Sequence, residues 1–266
     1  MYKDIEKSII KKYRKEIWSK FVKAIKEFEM LEENDKVAVC ISGGKDSFLL
    51  AKCMEELKRH GKFHYDLEFI IMNPGYNKEN LDKIKENLKK VNIEAHIFDT
   101  EVFQIADTTT SPCYLCAKMR RGYLYSYAKK LGCNKIALGH HFDDVIETIL
   151  MNLLYTGNYS SMMPKLHSDN FEGMELIRPL YFIREKDIIS WAKFNNLNFI
   201  DCGCSVTKKN DGKRKETKEL IKKLTEMYSE ADKSIFRSSF NVNLNTIIGY
   251  KKKDERYSFL DDYDCK

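Results

Sequence analysis

The sequence predicts an α/β fold, a mostly parallel sheet flanked by helices. A helical segment precedes it and a basic helical region follows it. Two observations carry this. Short apolar runs alternate with amphipathic stretches of helical period, and the runs end in glycine-rich or polar turns. The runs at 36–41, 67–72, 94–98 and 135–138 read as buried strands. Helices are expected over 48–60, 78–91, 114–131, 142–155, 185–195 and 213–228. The segment 3–33 reads as one amphipathic helix, with Ile5, Ile9, Ile10, Ile17, Phe21, Ile25 and Phe28 near helical spacing. Residues 156–183 suggest short β segments, 198–200 an extended stretch, and the tail beyond 228 an irregular end. The expected organisation is an N-terminal helical region (1–33), a catalytic domain (34–205) and a C-terminal basic helix with tail (206–266).

With 266 residues, 43% hydrophobic and 32% charged, the chain has enough apolar side chains for a sizeable core. Its formal net charge of +6 is mildly basic, too weak by itself to define a polyanionic partner. No apolar signal region and no membrane-length apolar run stand out, so a cytoplasmic location without membrane association is expected. In a reducing compartment, 8 Cys point to metal or catalysis more than to disulfides. Cys40, Cys53 and Cys133 lie among apolar neighbours and read as buried structural thiols.

Ligands of parallel sheets sit at the C-terminal strand ends, near the switch in strand order. Three loops fall there: after Ile41, before Cys113 and after Leu138. The first is Ser42-Gly43-Gly44-Lys45-Asp46-Ser47, between a strand and a helix. Two glycines admit an anion close to the backbone, the helix start offers free N–H groups, Ser42 and Ser47 add hydroxyls, and Lys45 adds charge. The spacing is not that of a Walker A loop. The plain alternative is a tight strand–helix turn with a capping side chain. Met72, at the end of the second strand, is counted with the nucleotide-site residues.

After the fourth strand comes Gly139-His140-His141-Phe142-Asp143-Asp144. The plain alternative is a strand end with an N-capping Asp; it is the resemblance given below that makes Gly139, His140 and Asp144 site residues, with His140 preferred to His141 because adjacent side chains point apart. Cys113-Tyr114-Leu115-Cys116 opens a helix, and Cys202-Gly203-Cys204 follows far downstream. As ligands, these four thiols suit a zinc ion, an iron–sulfur cluster or a redox pair.

Ser42 to Ser47 resembles the signature of the PP-loop ATP pyrophosphatases, whose fold is Rossmann-like. These enzymes cleave ATP between the α and β phosphates and adenylate a substrate oxygen. By this resemblance Asp46 helps hold Mg²⁺ and pyrophosphate, with Lys45 and Asp144 catalytic. The combination of that loop, Cys113 and Cys116, Ala117-Lys118-Met119-Arg120-Arg121-Gly122, the 139–144 loop, Ile177-Arg178-Pro179-Leu180 and Glu185-Lys186-Asp187-Ile188 is similar to bacterial tRNA 2-thiocytidine synthetases. The match runs in order from about residue 36 to 205.

The resemblance implies ATP-dependent tRNA thiolation. A pyrimidine C2 oxygen, most simply that of cytidine, is adenylated, and sulfur then displaces AMP. It implies a [4Fe-4S] cluster held by three cysteines: Cys113, Cys116 and either Cys202 or Cys204. Cys202 is preferred because it directly follows 198–201. One residue separates the late cysteines here, where the family tends to have two. The implied partners are tRNA, ATP, an unidentified sulfur donor and a second copy of the chain. Lys118, Arg120, Arg121 and the basic segments 11–26 and 208–223 are candidates for RNA phosphate, with Tyr13, Trp18 and Phe21 expected to pack instead. Competing readings are a PP-loop ligase or amidotransferase-like enzyme with cysteine-bound zinc, and a non-catalytic nucleotide-binding or redox-sensing module.

Overall fold

The computed structural model describes residues 2–61, 64–102, 112–200, 212–261 and 263; in the helix starting at Pro112, side chains are described from Lys118 onward. Six strands form the main sheet in the order β3-β2-β1-β4-β6-β5. These are β1 (Lys36–Cys40), β2 (Asp66–Asn73), β3 (His96–Asp99), β4 (Lys135–Ala137), β5 (Lys165–His167) and β6 (Glu175–Ile177). All neighbours pair in parallel except β5, which runs antiparallel along the edge beside β6. The central strand β1 is apolar on both faces because both are covered. Val37, Val39 and Ile41 join the larger core cluster, and Ala38 and Cys40 the smaller one on the other side.

The flanking helices are α3 (Lys45–His60), α4 (Lys78–Val91), α5 (Pro112–Lys130), α6 (Phe142–Thr156) and α7 (Glu185–Phe194). The α4 boundaries match expectation, with Asn77 capping the start and Asn92 in the left-handed region ending it. No strand forms at 198–200; Asn198 instead uses its carbonyl to accept a bond from Asn87, and Ile200 is buried against the phosphate loop.

The N-terminal segment differs from the single α-helix expected. It runs as α1 (Tyr2–Lys7), two π-helical stretches at Ser8–Lys12 and Arg14–Trp18, then α2 (Ser19–Glu27). The physical reason lies in the spacing of its buried residues. Ile5, Ile9, Tyr13, Ile17, Phe21 and Ile25 recur every four residues and all are buried. In an α-helix a four-residue stripe drifts by about 40° per step. The wider π turns, marked by Tyr13 N–H donating to the Ser8 carbonyl and Trp18 N–H to that of Tyr13, keep the stripe facing the core. Tyr13 also anchors through its hydroxyl to Ser190 of α7, and Trp18 stacks on Phe21, so these aromatics pack as expected.

The chain beyond 228 is not irregular. Helix α8 (Gly212–Met227) is followed by α9 (Ala231–Ser238) and a hairpin of β7 (Gly249–Lys252) and β8 (Glu255–Ser258). Phe236 of α9 is buried against Phe142, Tyr181 and Phe182. The hairpin turns at Lys253, whose φ is +55°, without the Asn-Gly or Asp-Gly pair that announces such turns in a sequence. No helix among the described residues is long and apolar enough to cross a membrane.

Because Ile17 is fully buried in the shared core, Ile17→Ala should lower unfolding free energy by about 2–4 kcal/mol. Urea denaturation measures this; a cost below about 1 kcal/mol would mean the N-terminal segment is not integral to the core.

Candidate active site

The strand order reverses between β1 and β4, so the crevice at their C-terminal ends is the switch point where ligands of such sheets bind. The loop Ser42–Ser47 leaves β1 there and the loop 139–144 leaves β4. Gly43 has φ +88°, and a Cβ on it would lie 2.7 Å from Ile200 Cδ1 and 2.9 Å from Ile84 Cδ1. Gly44 is the N-cap of α3. The turn is closed by the Ser47 hydroxyl, which donates to the Gly44 carbonyl (2.8 Å) and accepts from Ser42 N–H (3.1 Å). The free N–H groups of the α3 start therefore face the crevice mouth.

The two loops touch through backbone. A Cβ on Gly139 would sit 3.1 Å from the Asp46 carbonyl carbon and 3.1 Å from Ser47 N. Across this contact His141 Nε2 lies 3.8 Å from Asp46 Oδ1. Asp46 Oδ1 and His141 Nδ1 are buried without a well-formed hydrogen bond, their charged neighbours being Lys45 Nζ at 3.3 Å and Asp144 Oδ2 at 3.5 Å respectively. Burial pushes the Asp46 carboxyl above its ordinary range, against the pull of His141 and Lys45.

The expected residues do not all converge. Ser42, Gly43, Gly44, Lys45, Asp46, Ser47, Gly139 and Asp144 do. His140 Nδ1 accepts from Arg178 Nε at 3.4 Å, and burial together with the Arg178 charge pushes the imidazole down to about 4. It is His141 that faces the phosphate loop. Met72 lies buried in β2 opposite Phe98 of β3. Cys113 and Cys116 are three residues apart at the start of α5, which places the two positions on one helix face. Their side chains, and all of Cys202 and Cys204, lie outside the described residues. Among the described residues no group of three or more His, Cys, Asp or Glu is arranged to hold a metal ion. Cys40, Cys53 and Cys133 are buried, and burial pushes all three thiols up.

A ring of charge surrounds the crevice, most of it from residues without an expected site role. Arg214 of α8 reaches Asp144 Oδ1 (2.5 Å) and Glu147 Oε2 (2.8 Å). Against burial, which would raise it, His141 and Arg214 hold the Asp144 carboxyl below its ordinary value. Glu185, the first residue of α7, accepts from Lys45 at 3.1 Å and from Lys218 at 2.5 Å. Its own N–H donates to Asp143 Oδ2 at 2.7 Å. Burial opposes ionisation of Glu185, but Lys218 and Lys45 hold it down at about 2. Arg184 pairs with Asp232 of α9. In the basic segments, then, Arg214, Lys218 and Lys20, the last paired with Asp187, are engaged by carboxylates of this chain. A cavity of about 1080 Å³ opens beside the phosphate loop, between α4 and the C-terminal end of α7, with Lys45, Asp46, Tyr76 and Arg120 in its wall.

A parallel sheet with a glycine-lysine-aspartate anion loop at its switch point defines a nucleotide-binding α/β protein of the PP-loop class. The PP-loop domain family matches residues 14–208. The tRNA-cytidine(32) 2-sulfurtransferase of Geobacter metallireducens is 37% identical over 236 residues, 87% of this chain and 91% of that protein. The one from Citrifermentans bemidjiense is 38% identical over 226 residues, 83% and 88% of the two chains. Among solved structures, the U34-tRNA thiolase NcsA from Methanococcus maripaludis, determined with its [4Fe-4S] cluster, superposes with a TM-score of 0.66 at 24% identity, covering 88% of this chain and 80% of that one. The chain belongs to the PP-loop family, within the group of the tRNA-cytidine(32) 2-sulfurtransferases.

Two outcomes follow from the geometry. Gly139→Ala should push the two loops apart, lowering the melting temperature and weakening ATP binding measured by calorimetry; unchanged ATP affinity would mean the close approach does not shape the site. Glu185 is held at about 2, below the ordinary carboxylate range, so its pairing stabilises the fold fully above about pH 4.5 and is lost as pH falls through about 2. The unfolding free-energy difference between wild type and Glu185→Gln should be flat from about pH 7 to 5 and shrink toward pH 2. A difference independent of pH would contradict the pairing.

Proposed function

We propose that this chain is an ATP-dependent tRNA thiolase that replaces the C2 oxygen of a cytidine by sulfur. The supporting observation is the meeting of the two loops at Gly139 and Asp46, in a chain whose relatives are tRNA-cytidine(32) 2-sulfurtransferases.

In this reading the N–H groups and hydroxyls of Ser42–Ser47 bind the ATP phosphates and Lys45 offsets their charge. Gly139, with Met72 and His140 behind it, shapes the nucleotide pocket. The cytidine C2 oxygen attacks the α-phosphorus and pyrophosphate leaves. This step turns a poor leaving group, a carbonyl oxygen, into a good one, AMP. A sulfur nucleophile then adds at C2 and AMP departs.

Mg²⁺ fits Asp46 by donor type. Its buried Oδ1 has no well-formed hydrogen bond, and Mg²⁺ usually takes one or two carboxylates plus substrate phosphates. Bound there, the ion would offset phosphate charge. The negative charge of Asp144, kept by His141 and Arg214, orients the imidazole of His141 beside Asp46.

A [4Fe-4S] cluster fits the donor set of Cys113, Cys116 and one of Cys202 and Cys204, since thiolates are its ordinary ligands. Bound there, it would supply a soft-metal site for sulfur. The chain's own part is to supply those thiolates, two of them from positions on one face at the α5 start. A sulfur donor, a cytoplasmic location and assembly of two copies belong to the same reading.

The deciding experiment is mass spectrometry of tRNA nucleosides from a strain lacking the gene. Loss of 2-thiocytidine is expected, and unchanged 2-thiocytidine would overturn the reading. Two variants test the residues. Asp46→Ala should abolish AMP release while anaerobically purified protein keeps its iron; persisting AMP release would remove Asp46 from the adenylation step. Cys113→Ala and Cys116→Ala should each lose iron and acid-labile sulfide. Full iron in either would refute the ligand set, and stoichiometric zinc in the wild type would refute the cluster.

A further inference from the structure

Lys45 already has an anionic partner. Its ammonium lies 3.1 Å from Glu185 Oε1, and the other oxygen of Glu185 lies 2.5 Å from Lys218 Nζ. One carboxylate thus bridges the loop lysine and a lysine of α8. Glu185 and Lys45 are both largely shielded from water, whereas Lys218 stands at the rim with its side chain 58% exposed. The backbone of Glu185 is fixed to the other nucleotide-side loop through Asp143. Its carboxylate hangs on two rotatable methylenes and can turn aside while the main chain stays in place.

A carboxylate between two ammonium groups, beside a loop built for anions, has the electrostatic role that a phosphate would have. The local charge sharpens this. The carboxylates of Asp46, Asp143, Asp144, Glu147, Glu185 and Asp232 face Lys45, Arg184, Arg214, Lys218 and the imidazole of His141, six against five even with that imidazole charged. A polyphosphate entering beside an unmoved Glu185 meets a surplus of negative charge. If Glu185 turns away, that surplus falls by one and two lysines become available together.

We infer that Glu185 is an internal counter-ion that polyphosphate displaces, and that Lys218 is a second phosphate-gripping cation of the site alongside Lys45. The inference rests on the nucleotide-binding reading above. It gives α8 a part in nucleotide binding: the helix that follows the late cysteines closes on the phosphates through Lys218. Arg214, one turn earlier, stays on Asp144 and Glu147 and keeps the helix in register while Lys218 changes partner.

The two residues predict opposite signs, which a merely structural ion pair does not. Calorimetric titration of the full chain with inorganic pyrophosphate, and with ATP, in the presence of Mg²⁺ reads them without any sulfur transfer. Glu185→Gln removes the competing anion and should bind both ligands about fivefold more tightly. Lys218→Met should bind both about fivefold more weakly, and Lys218→Arg should restore most of the loss. Thermal melts at pH 7 establish that each variant is folded. Weakened binding in both Glu185→Gln and Lys218→Met would identify a structural tie and overturn the inference, as would unchanged affinity in either. A wild-type chain that binds neither ligand would sink the nucleotide-binding reading itself. Wild-type binding with the wrong pattern among the variants would sink only this inference.

Discussion

The contact between Gly139 and the backbone of Asp46 and Ser47 is the constraint on which the site depends. Parallel pairing of β1 with β4 brings two strand ends side by side, and the loops leaving them meet without a side chain between. That approach sets His141 opposite Asp46 and starts α3 and α6 from one crevice. Asp143, next in the second loop, holds the N–H of Glu185 and so fixes where α7 begins. Glu185 in turn reaches back to Lys45. The chain of positions closes on itself: loop, loop, helix start, loop. Displacing the Gly139 backbone would move the charged groups that depend on this contact.

Around this contact the protein assembles an ion network from distant segments. Arg214 lies far along the chain from Asp144, and Lys218 and Lys45 reach Glu185 from distant parts of the sequence. Such partly exposed pairs add little to stability individually. Their value is in tuning. They keep Asp144 and Glu185 ionised despite burial, while burial keeps His140 neutral and lifts Asp46. A crevice with carboxylates in distinct protonation environments and a loop rich in N–H donors suits chemistry on a polyphosphate. The second basic segment, a candidate for RNA phosphate by sequence, is divided among its described residues. Arg214 and Lys218 serve the site, and Lys215, Lys222 and Lys223 remain exposed.

Much of the architecture was legible because it is written in neighbours. Val37 to Cys40 followed by Ser-Gly-Gly-Lys-Asp-Ser encodes strand, turn and helix within a dozen residues. The bounds of α4 follow from Asn77 and Asn92. The four-residue stripe from Ile5 to Ile25 announced a buried helical face, but its departure from 3.6 also held the π turns, which a search for ordinary helical spacing passes over. The hairpin at 249–258 was missed because its turn at Lys253 uses no typical turn pair. His140 was favoured over His141 with nothing local to separate them. Half-buried Arg178, 38 residues on, bonds His140, while His141 is the neighbour that lies beside Asp46.

By itself the sequence determined the strand–loop–helix units, the chemistry of the phosphate loop and the family. These depend on backbone preferences and hydrogen bonds among residues close in the chain, and such preferences survive without knowledge of the rest. Only the tertiary structure decided which charges meet: His141 with Asp46, Arg214 with Asp144, and Glu185 with both Lys45 and Lys218. Coulomb and hydrogen-bond partners are chosen by distance in space. Here that distance follows from a strand order that brings β4 back beside β1 and carries α7 and α8 over the same crevice.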